Sequence, residues 1–466
     1  MKNNQSPIVG RWGIYLCALA ALYAVVVLLY LLVETGKPLG SHDFHQFWYA
    51  GHFIIQGRDP YAAYFAGEQP RLPIRYLDEV VVNQYPVAQG DLTIIPSNAP
   101  LILLLLTPFS FFSWVTAKWM FLILNLILML LTGWLVLRRI PFAGIKLSLI
   151  DEVFIFLVYF DLSATRIAIE NGQTTLVVFF LMLLAILYSE RSWKIAGSVL
   201  GIALSKYSLS LPVFLFFLYK KKFTILLLTI AVQALGLLGL SAITRSSPVM
   251  IVRENIRLLF QLFDQPGIHL ARFFEIFTKN HLLIEIPVLI MTLLVFLWLF
   301  LWLRAGIPKK SNSEDVLDFH VLTILFIWTM LVAYHRLYDT LILIFFIVLF
   351  FKGMAARGIW KLTSRQRTAF STLMAILPFI FIVPARLVDK VIPGYYGTKS
   401  DAVTTLSLLA LLILSMLLLR RFLQHAETQS ISRRTDVHGI RTDPRRDTQP
   451  RWVNYSQSSS STKRSK

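Results

Sequence analysis

The chain has 466 residues, 56% of them hydrophobic, and its mean hydropathy is +0.63. Many apolar stretches approach the roughly 20 residues that a helix needs to cross a bilayer, which excludes a soluble globular protein. The formal net charge is +19, but no recognised nucleic-acid-binding module accompanies it, and Lys- and Arg-rich cytoplasmic loops explain it more simply. The single cysteine, Cys17, excludes an intrachain disulfide. The composition therefore predicts an all-α polytopic protein of the lipid bilayer that binds no nucleic acid.

About 11–13 hydrophobic segments are expected, in the size range of membrane helices. The apolar segments cover residues 12–33, 95–112, 115–137, 147–163, 173–188, 195–219, 223–243, 283–303, 319–334, 337–351, 370–384 and 402–419. The first follows a short basic N-terminus, exceeds a typical signal-peptide core and ends without a small-residue cleavage site, which predicts an uncleaved first span. Residues 1–424 are predicted to form one integral membrane domain.

The charge distribution predicts the orientation in the membrane. The loop at residues 34–94 has four Lys and Arg against seven Asp and Glu, and a loop poor in cations is expected outside. Basic clusters at 220–222, 309–310, 352–367 and 420–421 are expected inside. Both termini are therefore predicted to be cytoplasmic, in a multi-pass protein of the plasma (inner) membrane.

A simple count of spans places the basic turns at 138–139 and 191–194 on the wrong side. Two adjustments remove this conflict. Segment 95–112, interrupted by prolines, is predicted to dip into the membrane and return. Segment 195–219 is predicted to be two half-membrane helices that meet near Lys206.

These adjustments also predict where polar residues meet. Irregular backbone at membrane depth is tolerated only where it lines a cavity or packs within protein. Lys206 is therefore expected at the floor or wall of a cavity that opens outward. Residues 161–173 are expected on the outer side, alongside the loop at 34–94.

The C-terminal stretch differs from the rest of the chain. Residues 425–466 contain nine Lys and Arg against four Asp and Glu and few apolar residues, a composition typical of disorder. We expect a disordered basic cytoplasmic tail that contacts anionic lipid headgroups.

A polar, aromatic-rich stretch follows the first apolar segment, with the sequence SHDFHQFWYAGHFIIQGRDPY at residues 41–61. Asp43 lies between His42 and His45 at the start of a predicted amphipathic helix. Asp43 is either the N-cap of this helix or a catalytic base at the membrane face. The three side chains are of metal-ligating types, but spacing in a loop is a weak signal, so no metal or other cofactor is expected.

Polar groups within membrane segments are costly and are candidates for function. Arg166 and Glu170 are four residues apart on a predicted helix and can neutralise each other. Asn171 and Gln173, which follow, are uncharged donors and acceptors suited to sugar hydroxyls. The cluster is either a structural ion pair or part of a substrate site.

Two further clusters carry cations. Lys206 either binds a phosphate or, if its segment is one straight span, snorkels to the interface or pairs with a carboxylate. Arg336 can bind phosphate oxygens bidentately, and His335 and Asp339 are spaced to orient each other. The alternative is a short polar turn in which Arg336 pairs with Asp339.

Several of these motifs together resemble glycosyltransferase family 87. The matching positions are Asp43, Phe44, Phe47, Ala50, Gly57, Asp59, Pro60 and Tyr61, followed by Tyr85-Pro86, Gly172-Gln173, the stretch from Arg191 to Lys222, and Tyr338-Asp339. The motifs occur in the family's order over roughly residues 12–350. The sequence departs from the family pattern at two positions. One is His45, and the other is Val87, where the family has a second proline.

The resemblance implies a GT-C-type helical bundle that moves a hexose, in characterised relatives mannose, from a polyprenyl-phosphate sugar to a lipid or glycan acceptor outside. It implies that Asp43 is the base of a single inverting displacement. Lys206, Arg336 and His335 are the candidates for the donor phosphate, and the candidates for other substrate contacts are His45, Asp59, Tyr61, Asn171, Gln173, Tyr338 and Asp339.

Two other functions stay open at this point. A flippase or transporter of a lipid-linked saccharide would use the same cations without Asp43 as a base, although no internal symmetry favours it. A membrane scaffold would leave the intramembrane polar residues unexplained.

Overall fold

The computed structural model describes residues 13–37, 40–68, 98–139, 145–263, 268, 270–275, 278, 281–304, 311–333, 335–355, 363, 365–366, 381–382 and 398–439. Within these ranges the regular structure is entirely helical. In chain order the helices are α1 (Gly13–Gly36), α2 (His42–Ile55), α3 (Pro60–Phe65), α4 (Pro100–Leu106), α5 (Trp114–Arg138), α6 (Leu149–Asp161), α7 (Ser163–Glu170), α8 (Thr175–Tyr188), α9 (Trp193–Ala203), α10 (Tyr207–Tyr219), α11 (Phe223–Thr244), α12 (Pro248–Phe263), α13 (Leu270–Glu275), α14 (His281–Arg304), α15 (Ser311–Val332), α16 (Ile344–Ala355) and α17 (Thr398–Gly439). Short 3-10 segments continue α4 (Thr107–Phe111), join α9 to α10 (Leu204–Lys206) and precede α16 (Leu337–Leu343).

The prediction of an all-α polytopic membrane protein is confirmed. Among the described residues, eight helical stretches are long and apolar enough to cross a membrane, or nine if α7 and α8, which meet at 116°, form one broken span. The partial motif at Tyr85-Pro86, most of segment 370–384 and the end of the chain from residue 440 lie outside the described residues.

Helices α9 and α10 are joined by a short 3-10 turn and reverse direction there, although their combined length alone would allow one span. That each crosses only half of the membrane stays a prediction. Thr229 of α11 donates to the carbonyl of Gly197 (3.3 Å), and Gln233, one turn later, donates to the carbonyl of Gly201 (2.5 Å) and the hydroxyl of Ser205 (3.0 Å). Helices α9 and α11 therefore run parallel. Because α11 begins directly after α10 ends, α10 must run back against α9, with the turn beside Ser205.

Helix α4 also stops short of a full crossing. Residues 100–111 extend only about 18 Å as a helix, against the roughly 30 Å of a hydrocarbon core. The amide of Ala99 donates to the carbonyl of Ser205 (3.5 Å), and Leu101 and Leu104 pack on Gly236 and Gly239 of α11. Residues 100–111 therefore run in one direction, away from the α9–α10 turn. The dip predicted for segment 95–112 stays a prediction, because residues 69–97 lie outside the described residues.

The basic turns lie at one end of the bundle, where their side chains form ion pairs. We call this end the basic end and define it by Arg138, Lys220, Lys222 and Lys352. Arg138 pairs with Glu152 at the start of α6, and Lys352 interacts electrostatically with that carboxylate. The other two lysines pair with carboxylates at the start of α15 and just after α8. The opposite end, which carries α2 and α3, is called the loop end.

Both described chain ends reach the basic end. The Cys17 thiol of α1 faces the carbonyl of Ile150 in α6 (3.7 Å). Phe422 of α17 stacks on His320, near the middle of α15 (ring centroids 5.5 Å), and α17 continues beyond this contact. Helix α17 runs through the predicted boundary at residue 425 to Gly439, and the rest of the predicted basic tail lies outside the described residues. Extending an existing helix costs much less than starting one, which accounts for the longer helix.

An aromatic cluster fixes α2 to the bundle. Phe44 stacks on Phe121 of α5 (ring centroids 4.0 Å) and lies 6.0 Å from Trp114. The Trp48 indole donates to the carbonyl of Phe112 (3.0 Å). Since these rings are almost fully buried, the first turn of α2 has a defined position relative to α5, α7 and α8.

Candidate active site

The first turn of α2 is capped by a distant part of the chain. The amides of Asp43 and Phe44 both donate to the carbonyl of Asn171 (3.0 and 3.1 Å). Ser41, in the left-handed conformation, precedes the helix without a side-chain cap. Asp43 is therefore not the N-cap, which corrects one of the two sequence interpretations. Because Asn171 satisfies these amides, the Asp43 carboxylate is not needed for capping.

The Asp43 carboxylate is held from both sides and remains partly accessible. The Gln173 amide nitrogen donates to Oδ2. The His42 Nε2 atom lies 3.6 Å from Oδ1, and the Asp43 side chain is 16% exposed. Gln173 itself is buried. The arrangement leaves one carboxylate oxygen, on the His42 side, available to a substrate.

A glycine makes this contact possible. Gly172 has φ +66°, a conformation that L side chains rarely adopt, and a Cβ atom there would lie 2.6 Å from the Cβ of Phe44. A left-handed residue without a side chain therefore lets the turn between α7 and α8 approach α2 closely. The close approach brings the carbonyl of Asn171 to the Asp43 amide and the side chain of Gln173 to the Asp43 carboxylate.

A second group of polar side chains surrounds Asp339. The Lys206 ammonium is 2.5 Å from Asp339 Oδ1 and 2.6 Å from the Thr175 hydroxyl, which itself donates to Oδ1 (3.0 Å). The His335 Nδ1 atom is 3.0 Å from Oδ2. The Tyr338 ring centroid lies 4.7 Å from the Lys206 nitrogen. We call Thr175, Lys206, His335, Tyr338 and Asp339 the lysine cluster.

A short stretch of chain connects the lysine cluster to Asp43. Gln173 contacts the Asp43 carboxylate, and Thr175, two residues later, contacts both Lys206 and Asp339. Two residues of extended chain span at most about 7 Å. A carboxylate and an ammonium group are thus carried on the two sides of one short turn.

The ion pairs differ from those considered in the sequence. Asp339 pairs with Lys206 and His335, so the predicted Arg336–Asp339 pair is wrong, while the mutual orientation of His335 and Asp339 is confirmed. Arg336 is half-buried at the start of the 3-10 segment.

The helical pair predicted between Arg166 and Glu170 is replaced by contacts with α1. The Tyr30 hydroxyl donates to Glu170 (2.8 Å), and the Arg166 guanidinium lies 5.9 Å from the Tyr30 ring centroid. The side chains of this cluster thus join α7 to α1.

Three of the side chains predicted to contact the substrate, those of Asp59, Tyr61 and His45, are engaged in contacts within the protein. Asp59 caps α3 by accepting from the amides of Tyr61 and Ala62, and Tyr61 is fully buried with its hydroxyl on the carbonyl of Asn98 (2.6 Å). Burial raises the pKa of the Asp59 carboxyl. His45 is buried among aromatic rings, including Trp114 at 4.9 Å.

Thr175 is the cluster residue that sequence reasoning missed. It lies in an apolar run that begins two residues after Gln173, and a buried threonine in a membrane helix is more often bonded to its own backbone. Its position two residues after the Gly172-Gln173 motif was the available signal.

Among the described residues, no group of three or more His, Cys, Asp or Glu side chains is arranged to hold a metal. His42 and Asp43 are neighbours, but the His45 side chain is buried among aromatic rings. A metal-independent reaction therefore stays a prediction.

The described residues form a multi-pass helical membrane protein in which one short turn links the Asp43 carboxylate to the Lys206 ammonium group. The particular family follows from sequence comparison. The model of glycosyltransferase family 87 matches residues 98–333, half of the chain, and the chain belongs to this family. The match includes Gln173, Thr175 and Lys206, and it ends before His335. No curated protein and no solved structure matches the chain.

Proposed function

We propose that this glycosyltransferase moves a hexose, mannose in the first instance, from a polyprenyl-phosphate sugar to a hydroxyl of a lipid or glycan acceptor. The observation that carries the proposal is the position of the Asp43 carboxylate, held by Gln173 and one short turn away from Lys206. Transfer from a sugar phosphate needs a base for the acceptor and cations for the leaving group. The two groups are joined by the turn that leads into α8.

Asp43 acts on the acceptor in this mechanism. A carboxylate within hydrogen-bond reach removes the proton of the acceptor hydroxyl as its oxygen attacks the anomeric carbon. Gln173 keeps Oδ2 in place, so that Oδ1 points to the acceptor. The bond between the anomeric carbon and the phosphate oxygen breaks in the same step, and the configuration inverts.

Lys206 acts on the donor. An ammonium group has three N–H donors, and Thr175 and Asp339 accept two of them. The third is directed to a phosphate oxygen of the donor, whose negative charge grows as the sugar leaves. Arg336, two residues before Tyr338, supplies a second cation for the same phosphate. His335, fully buried behind Asp339, positions that carboxylate instead of contacting the donor.

The location of the reaction follows from charge. The basic end is assigned to the cytoplasm by the positive-inside rule, which puts both termini there and the loop end outside, in the plasma (inner) membrane. The donor's prenyl chain lies in the bilayer, and the sugar reaches Asp43 from the outer leaflet. No metal or other cofactor takes part in this scheme.

The test is transfer of labelled sugar in proteoliposomes from polyprenyl-phosphate mannose or polyprenyl-phosphate glucose into a membrane lipid extract. Wild type, Asp43→Asn and the control Glu34→Gln, a carboxylate near the end of α1, are compared. Product from wild type and Glu34→Gln but not from Asp43→Asn supports the proposal and identifies the sugar. Equal product from all three removes Asp43 from the mechanism. Movement of labelled lipid across the bilayer without transfer would instead indicate a flippase.

A further inference from the structure

Helix α12, at the loop end, has one row of side chains against the protein. Ile251 and Leu258 are fully buried, and Glu254 between them is 8% exposed. The Asn255 amide donates to the carbonyl of Asn98 (3.3 Å). With about 100° between successive residues, these positions form one face, and this face fixes α12 to the bundle.

The opposite face of α12 is apolar and exposed. It carries Val249, Val252, Ile256 and Phe260, exposed by 75%, 39%, 46% and 68%. A contiguous apolar row of this kind marks contact with lipid or another protein. Helix α12 cannot be a span, because its 16 residues fall short of the roughly 20 that a crossing needs and include three charged side chains.

Two arginines lie along the border between the buried and the exposed apolar faces. The Arg253 and Arg257 side chains are 72% and 60% exposed and share the single carboxylate of Glu254, at 4.0 and 3.6 Å. Arg257 also lies 4.0 Å over the ring of Phe65, the last residue of α3. Two exposed guanidinium groups with one buried carboxylate leave a positive charge beside an apolar face.

The position of α12 decides between the two leaflets. Helix α11 begins at the basic end, beside Lys222, and α12 follows its far end and packs on α3. We infer that α12 is an interfacial helix of the loop-end leaflet, with Val252 and Ile256 in the acyl region and Arg253 and Arg257 on the phosphates of anionic phospholipids. A basic border beside an apolar face is the pattern of helices that lie in the membrane surface, and each exposed arginine adds electrostatic attraction to anionic headgroups.

Spin labels test the depth of the helix without any assay of activity. In a Cys17→Ser background, Ile256→Cys and Arg253→Cys are labelled with a nitroxide in vesicles of phosphatidylcholine and phosphatidylglycerol. The predicted result is a ratio of oxygen to nickel-chelate accessibility several-fold higher at position 256 than at 253. Equal, high nickel accessibility at both positions would show that the face is in water and overturn the inference. Low access to both reagents, with dipolar broadening between labels, would show a second copy of the chain instead.

The anionic lipid is tested with the label at Ile256→Cys. Adding phosphatidylglycerol to phosphatidylcholine vesicles should raise the accessibility ratio when Arg253 and Arg257 are present. The shift should disappear in the double variant Arg253→Gln, Arg257→Gln. An unchanged shift in the double variant would overturn the assignment of the arginines to lipid phosphates. Both arms are independent of sugar transfer, so their failure would leave the proposed function untouched.

Discussion

The side-chain amide of Gln173 donates to the carboxylate of Asp43, 130 residues earlier in the chain. The backbone of the same turn caps the helix on which Asp43 lies, through the carbonyl of Asn171. Side chain and main chain of one turn thus hold both the helix and its carboxylate. On the proposed function, this makes Gln173 a positioning residue for the base.

Replacing Gln173 tests this positioning role. A hydrogen bond to a charged group contributes about 1.5–3 kcal/mol, so Gln173→Leu should lower kcat by roughly 10- to 100-fold. The KM for the donor should change little, because the donor phosphate is assigned to Lys206. Steady-state transfer kinetics measure both values, with Glu34→Gln as the control. A raised KM with an unchanged kcat would instead indicate that Gln173 binds the sugar.

Variants of the Lys206–Asp339 ion pair can distinguish an effect on stability from an effect on activity. Lys206→Met leaves the almost fully buried Asp339 carboxylate without its cation, and breaking a buried pair in this way typically costs about 3–5 kcal/mol. Adding Asp339→Asn removes the unpaired charge, so the double variant should recover much of the lost thermal stability. Tryptophan fluorescence during heating in detergent measures this.

Activity should not recover in the same double variant, since the cation for the phosphate is still absent. The transfer assay on Lys206→Met, Asp339→Asn therefore distinguishes a phosphate ligand from a purely structural ion pair. A transfer rate equal to that of the wild type in a stable double variant would show that the ion pair has a structural role only.

Two glycines in the same conformation provide a matched test of the turn. Gly172 and Gly67 have φ of +66° and +65°, but a Cβ atom would meet Phe44 at Gly172 and nothing within 4 Å at Gly67. Gly67→Ala should cost only the left-handed strain, about 1–2 kcal/mol. Gly172→Ala should add overpacking against α2, typically about 1–3 kcal/mol, and reduce transfer. Equal stability and activity of the two variants would contradict the close approach.

How much of this arrangement the sequence predicts depends on the distance along the chain. The break near Lys206 within residues 195–219 follows from local signals: charge counts, a lysine in the middle of an apolar segment and the nearby proline. The partner of Lys206 does not, because Asp339 is 133 residues away and several carboxylates were equally available to it. The same holds for Asp43, whose local sequence is equally compatible with an N-cap. Only the packed turn at Asn171 shows that the cap is supplied from elsewhere.

His52 gives α2 a pH dependence of its own. Burial lowers the pKa of this histidine to about 4, from an ordinary 6.5, so between these values the unfolded chain binds a proton that the folded chain excludes. Stability should therefore fall as the pH is lowered from 7 towards 4, by up to about 3 kcal/mol for this group. The variant His52→Gln should show a flatter decline in thermal stability over this range. Parallel curves for the two proteins would contradict the assignment.

The most direct test of the account is the kinetic effect of Asp43→Asn, compared with its effect on donor binding. Asparagine keeps the shape of the side chain and an oxygen that accepts from Gln173, but it cannot take a proton. Loss of a general base typically costs about 10²- to 10⁴-fold in rate. The account predicts a fall of this size in single-turnover transfer, with the Kd for the polyprenyl-phosphate sugar unchanged and Glu34→Gln equal to wild type. A wild-type transfer rate in Asp43→Asn, or a loss explained entirely by weaker donor binding, would contradict it.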